Sequence, residues 1–208
     1  MKKAYLFIFC LLVFFTACEQ SPIFYDISQE IFSCQVYPGD PIPKKNLLKS
    51  IEKGELYNLT AFNMCAHNGT HVDAPSHFIK EGKTIDEIPL DNFVGKCYVY
   101  THNNEVNELD AVNIIHKAKE NNASERILVK GNCIITTEAA KVFKEANIKL
   151  LGNESQSVGP VDSPMEVHKI LLSSNIVLLE GIVLNDVNDG VYYLCAQPLN
   201  VKGIEGSP

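Results

Sequence analysis

Tryptophan is absent from this 208-residue chain, methionine occurs 3 times, and Lys and Arg number 18 against 25 Asp and Glu. With a formal charge of -7 and no basic run after residue 20 longer than Lys44-Lys45, there is no cationic face for a phosphate backbone. Nucleic-acid binding is therefore disfavoured. Beyond residue 20 the cysteines, Cys34, Cys65, Cys97, Cys133 and Cys195, form an odd set with no C-x-x-C pair. That points away from a disulfide framework or a zinc ribbon and leaves most of them as small buried hydrophobes. Internal repeats and low-complexity tracts are also missing. What remains, 46 % hydrophobic and 21 % charged residues, is the composition of one globular domain.

Residues 1–20 stand apart from that domain, which is expected to span 21–208. Lys2 and Lys3 precede an unbroken apolar stretch from Ala4 to Phe15, and Thr16-Ala17-Cys18 follows with small residues before a cysteine. The stretch is too short to span a bilayer comfortably. It is similar to a bacterial lipoprotein signal, with Cys18 lipidated as the mature N-terminus. The expectation is export and membrane attachment through that lipid alone, with an uncleaved N-terminal anchor or a cytoplasmic chain as alternatives. Sequons begin at Asn58, Asn68, Asn122 and Asn153, and a glycan at Asn68 would block the densest group of histidines. Eukaryotic secretion fits poorly.

Patterning along the chain alternates strands and helices. IFYDIS (23–28) reads as a strand, VYPGDPIP (36–43) as a turn-rich loop, and LYNLTAFNMCAHNGTHVD (56–73) as extended. NELDAVNIIHKAKE (107–120) reads as a helix with Asn107 as N-cap and Leu109, Val112, Ile115 and Ala118 on its apolar face. RILVKG (126–131) is the next strand, TEAAKVFKEAN (137–147) the next helix with Asn147 to stop it, and IKLLG (148–152) a further strand. SPMEVHKILLSSN (163–175) reads as a helix. NIVLLEGIVL (175–184) is a buried strand or two, and VYYLCAQPL (191–199) closes the series. Such alternation predicts an α/β domain around a buried sheet.

NMCAHNGTHVDAPSHF (63–78) holds three of the 6 histidines. His67 and His71 are four apart, but Gly69 between them and Pro75 beyond make a helix costly here. In an extended chain, residues of equal parity point the same way. His67, Gly69, His71, Asp73, Pro75 and His77 are all odd-numbered, so a strand running into a bent loop would aim three imidazoles and a carboxylate into one space. Gly69 would leave room between the first two. These groups are the usual ligands of zinc, manganese or iron in hydrolytic sites, and a bound cation removes the objection to crowding imidazoles together. Cys65 shares the parity but reads as an ordinary buried thiol.

Far downstream, Glu180 lies inside IVLLEGIVL, where a buried carboxylate costs several kcal/mol unless paired or bound to a cation. His168 on the preceding helix could be its neighbour. Taken alone, His168 also reads as a satisfied helix histidine, and Glu180 equally well as a strand-end residue facing solvent. His102 and His116 read as surface residues.

HNGTHVDAPSHF resembles the HxGTHxDxPxHF signature of the cyclase family of metal-dependent hydrolases, which includes bacterial kynurenine formamidases and isatin hydrolases. The similarity runs over nearly all of 24–208, with YDISQEI, YPGD, LLGNESQSVGP and HKILLSSNIVLLEGIVLNDV as further matching stretches. The resemblance implies a swivelling β/β/α-type single domain, assembled as a homodimer or homotetramer. It implies one or two divalent ions per chain, zinc or manganese: His67 and His71 on the first, Asp73 bridging, His168 on the second, and Glu180 contacting both. His77 would be the catalytic acid/base. The reaction implied is hydrolysis of a small formamide, amide, lactam or ester by metal-activated water. Where kynurenine formamidases stack a Trp on the aryl substrate this chain has Tyr37, and the family's usual loop Asp is Glu154. The chain stops at Gly206-Ser207-Pro208, where relatives usually continue into a segment with Arg. The competing reading is a non-catalytic exported lipoprotein that binds metal or solute. A third is a degenerate partner of an active paralogue.

Overall fold

Segments such as RILVK and VLLE are too apolar for solvent and too short to bury themselves. They pair into a sheet whose two faces both need covering. The computed structural model describes residues 21–208 except 161, 162 and 164, so the expected leader lies outside the described residues. In chain order the elements are β1 (Lys44–Lys49), β2 (Leu59–Asn63), β3 (His71–Asp73), β4 (Val94–Thr101), β5 (Asn104–Val106), α1 (Glu108–Glu120) and β6 (Arg126–Lys130). They continue with β7 (Cys133–Ile135), α2 (Thr137–Glu145), β8 (Leu150–Asn153), α3 (Met165–Leu172), β9 (Val177–Glu180), β10 (Gly190–Cys195) and β11 (Gly206–Ser207). Seven strands form a mixed sheet in the order β10-β4-β6-β8-β9-β3-β11. The run from β4 to β9 is parallel, while β10, β3 and β11 pair antiparallel to their neighbours. The expected α/β class is what the chain adopts.

Strand alternation divides the core. On one face Ile127, Val129, Leu151 and Leu178 pack with Ile114, Phe143 and Leu171 of the helices. On the other, Leu128, Leu150, Leu179 and Val72 pack with Ile85, Phe93, Ile182 and Leu184. Asn107 caps α1 as expected, accepting from the Asp110 N–H at 3.1 Å. The buried face of α1 is rotated from the expected one: Ala111 and Ile114 join Ile115 and Ala118 inside, while Leu109 and Val112 face solvent. Small alanines there let the helix approach its neighbours closely. Past the end of α2, Asn147 turns the chain with φ 55°.

Two strand expectations are corrected. Residues 23–28 form no strand; the Ile27 carbonyl accepts a single backbone bond from the Val183 N–H at 2.9 Å, and the Ser28 N–H turns back onto Asp26 Oδ1 at 3.0 Å. The extended reading of 56–73 is interrupted by turns between β2 and β3. NIVLLEGIVL, expected as a buried strand or two, gives one, β9, ending where Gly181 takes φ 65°. Strands β1 and β4 were not legible in the pattern.

β1 and β2 form a separate antiparallel hairpin exposed on both faces, with Leu56 94 % and Phe62 59 % accessible and Leu47 and Leu48 also outward. Two strands alone are marginal in water. No helix among the described residues is long and apolar enough to cross a membrane.

Candidate metal centre

β3 has only three residues, yet all are buried because it is flanked by β9 and β11. Its register sets His71 opposite Glu180 and Asp73 opposite Leu178. Directly opposed residues share a face, as do residues two apart on one strand. His71, Asp73 and Glu180 therefore converge on the helical side of the sheet. His71 Nε2 lies 3.3 Å from Glu180 Oε2 and 3.5 Å from Asp73 Oδ1.

The other groups arrive from different backbone. A turn before β3 lays His67 on the site, Nδ1 2.8 Å from Asp73 Oδ1. After β3, Pro75 opens a single 3-10 turn, Pro75–His77, which folds His77 back with Nε2 3.9 Å from Asp73 Oδ2 and its ring stacked on His67 at 4.1 Å. Helix α3 supplies His168, whose Nε2 is 3.3 Å from Glu180 Oε1 and 3.7 Å from Asp73 Oδ2. Equal parity therefore accounts for His71 and Asp73 only; turns on either side bring in His67 and His77. Gly69 has a different reason from the one expected. Its φ is 64°, and a Cβ there would stand 2.9 Å from Cys34 Cβ, so the position needs glycine for its turn and for that contact.

Two groups of ligand atoms each lie within 4.8 Å of one another: His67, His71 and Asp73, and Asp73, His168 and Glu180. Asp73 is 0 % exposed and Glu180 2 %. Burial opposes the charge on both, and for Glu180 so does Asp73, yet the surrounding imidazoles hold both carboxyls below their usual range. Burial likewise opposes a charged His71, but the hydrogen bond to Glu180 and the charge of Asp73 raise its pKa to about 9. Burial, with His67 and His168 adding to it, lowers His77 against the pull of Asp73. Asp73 Oδ2 is buried without a hydrogen-bond donor. A buried carboxylate oxygen left in that state calls for a cation, and an all-nitrogen-and-oxygen donor set suits a divalent metal.

The site opens into a cavity of about 280 Å³, also lined by Tyr37, Cys65, Phe78, Gln156 and Ser157. A second cavity of about 280 Å³ beside Tyr25, Ile27, Ile182 and Pro198 touches the cluster only through His71. Cys65 is half-buried at the cavity wall, outside both ligand groups. Cys97 and Cys133 are buried as expected, whereas Cys195 is exposed; all five described cysteines are free. His116 is on the surface, and His102 lies near it, bonded to the Glu105 carbonyl at 2.9 Å. Asn68 and Asn153 are buried. Glu154 accepts from the Gly131 N–H at 2.6 Å and the Leu184 N–H at 2.8 Å, tying two loops behind the site. The sequence reading missed Gln156, Ser157 and Glu205, the last 3.3 Å from His67 Nε2. For Gln156 and Ser157 the available signal was their place in the loop directly after β8; Glu205 carried none.

Comparison with known proteins agrees with this geometry. Residues 25–160 match the Cyclase family model. Kynurenine formamidase of Salinibacter ruber is 32 % identical over 200 residues, covering 88 % of this chain and 93 % of that protein. The enzyme of that name from Erythrobacter litoralis is 29 % identical over 191 residues, covering 85 % and 87 %. The structure of a potential metal-dependent hydrolase with cyclase activity superposes with a TM-score of 0.73 at 25 % identity, covering 88 % of this chain and 93 % of that one. Isatin hydrolase A of Labrenzia aggregata does so with 0.75 at 21 % identity, covering 88 % and 90 %, a likeness of fold. With its HNGTHVDAPSHF stretch folded around paired ligand groups and its match running from Tyr25 to Pro160, the chain belongs to the Cyclase family.

Proposed function

We propose that this protein is a divalent-metal-dependent hydrolase of a non-peptide C–N bond, acting on a small formamide, amide or cyclic amide in the manner of a kynurenine formamidase. The observation that carries the reading is Asp73: wholly buried, one oxygen without a hydrogen-bond donor, and shared between two ligand groups. His67, His71 and Asp73 would hold one ion, and Asp73, His168 and Glu180 a second. Zinc is the first choice, since imidazole and carboxylate ligation suits it, and manganese the second. When bound, such an ion supplies Lewis acidity toward the substrate carbonyl and toward water.

The remaining work falls to the chain's own residues. His77 takes the proton of the attacking water and returns it to the leaving nitrogen, so the C–N bond breaks to give a carboxylic acid and an amine. Its burial lowers the pKa of the ring, which favours the neutral form able to accept. Tyr37 and Phe78 give the cavity wall aromatic faces on which an aryl substrate could stack. A volume of about 280 Å³ lies at the small end of ligand pockets, roughly 300–1,000 Å³. The test is hydrolysis of N-formylkynurenine, simple formanilides and isatin by chelator-stripped chain before and after zinc or manganese is restored. Metal-restored turnover of at least one is the expected result. Stoichiometric metal without turnover of any would favour the non-catalytic metal-binding reading.

Two further properties belong to the same proposal. The protein assembles as a homodimer or homotetramer, supported by the apolar hairpin β1–β2 that has no cover of its own. It is exported in a bacterium and anchored through lipid on Cys18, supported by the pattern of residues 1–18. A Cys18→Ala chain that still partitions with membranes would count against the anchor.

A further inference from the structure

We propose that Glu205 is a positioning residue for the metal centre: it accepts the outward N–H of His67 and so fixes that ring with its other nitrogen toward the ion. This rests on the metal reading above. The two nitrogens of His67 face opposite ways. Nδ1 lies 2.8 Å from Asp73 Oδ1, the oxygen that also stands 3.5 Å from His71 Nε2. Nε2 points away from the ligand group and lies 3.3 Å from Glu205 Oε1. An imidazole that ligates through Nδ1 carries its proton on Nε2, and that N–H needs an acceptor. His71 solves the same problem in reverse, with Nδ1 donating to the Gly69 carbonyl at 2.9 Å and Nε2 turned inward. Carboxylates and carbonyls in this outer position hold the tautomer and the ring plane of metal-binding histidines.

A second, independent contact comes from the same segment. A Cβ on Gly206 would stand 2.7 Å from His67 Cε1 and 3.2 Å from Nδ1, so bare backbone lies against the ring edge and limits its rotation. Support is needed because His67 sits on a turn, whereas His71 is held in a strand and His168 in a helix. The supporting segment is itself registered to the site: Gly206 pairs with Asp73, and the Ala74 N–H donates to the Glu205 carbonyl at 2.8 Å. The pairing that places Asp73 therefore also places the carboxylate that orients His67. Because the Glu205 side chain is 45 % exposed, water competes for it, and its contribution is a tuning of affinity.

The experiment uses the full chain stripped of metal, with zinc titrated against a chromophoric chelator, for wild type, Glu205→Gln, Glu205→Ala, His67→Ala and the His67→Ala, Glu205→Ala double variant. Glu205→Ala is expected to weaken zinc binding by about 10–100-fold, the range for outer partners of metal ligands. Glu205→Gln, which keeps an oxygen acceptor, should fall between that and wild type. In the His67→Ala background the second substitution should add nothing. Long-range ¹H–¹⁵N spectra of the zinc-loaded protein should show His67 protonated at Nε2, with that proton's resonance moving in Glu205→Ala. Equal zinc affinity in wild type and Glu205→Ala would overturn the proposal, as would a loss that persists undiminished without His67. A wild-type chain that binds no zinc would overturn the metal centre itself, which keeps the two failures distinct.

Discussion

The hairpin β1–β2 and the metal centre on β3 and β9 invert one another. In the hairpin, Leu47, Leu48, Leu56 and Phe62 stand in water where apolar side chains lose stability; at the centre, Asp73 and Glu180 stand in the core where carboxylates do. Both regions break the ordinary distribution of residues, and each names what it lacks through its own chemistry. The hairpin lacks an apolar cover, and the proposed occupant is a second copy of the chain. The centre lacks a partner for Asp73 Oδ2, and the proposed occupant is a divalent cation. Misplaced polarity is thus informative in either direction, provided that the misplaced residues are contiguous in space.

That comparison can be broken first at the centre. Replacing Asp73 by Ala removes the residue common to both ligand groups, and bound metal measured by plasma mass spectrometry should vanish along with hydrolysis; retention of both would dissolve the centre as described. His77→Ala should lower kcat by about 10²–10⁴-fold, the range for a lost acid/base, with metal content unchanged. If metal leaves with His77, the residue is a ligand and the division of roles is wrong. At the hairpin, Phe62→Glu together with Leu47→Glu should shift sedimentation toward the monomer, with association at least about tenfold weaker, or about 1.4 kcal/mol. A sedimentation profile unchanged from wild type would remove the hairpin from the interface.

The smallest effect is on pH. In metal-free chain, the carboxylates outweigh burial and raise His71 from 6.5 to about 9. A raised folded-state pKa stabilises fully below the unfolded value and is lost as pH rises through the folded one. The thermal midpoint of the stripped protein should therefore fall by a few degrees between pH 6.5 and pH 9.5, and zinc should flatten that slope because it takes the place of the proton. A midpoint that rises over the same range would mean that His71 is not charged in the stripped fold.

Much of the centre was legible because His67, His71, Asp73 and His77 lie in one short stretch, and Glu180 betrayed itself as a charge inside an apolar run. The mechanism of convergence was not. Parity described the strand residues His71 and Asp73, while turns, which have no simple period, deliver His67 and His77. Glu205 was invisible for a different reason: it reaches the site through the pairing of β11 with β3, a contact across most of the chain that no local pattern encodes. The sheet's strongly apolar members β6, β8 and β9 could be read, whereas β1 lies in a hairpin exposed on both faces and so shows no alternation of burial to read. In α1 the period was right and the phase wrong, since Ala111 and Ile114, rather than Leu109 and Val112, meet the sheet.

The pairing of His71 with Glu180 has a consequence for how the chain reaches its working form. The two residues are far apart in sequence, and contacts of that separation close late and slowly. Until they close, an ion finds only the local group His67, His71 and Asp73 on a flexible stretch, without His168 and Glu180. Full affinity arises when the last strands dock, so metal uptake should report completed folding rather than initiate it. The ion would then act as a latch on the final step, holding shut a join between strands far apart in the chain.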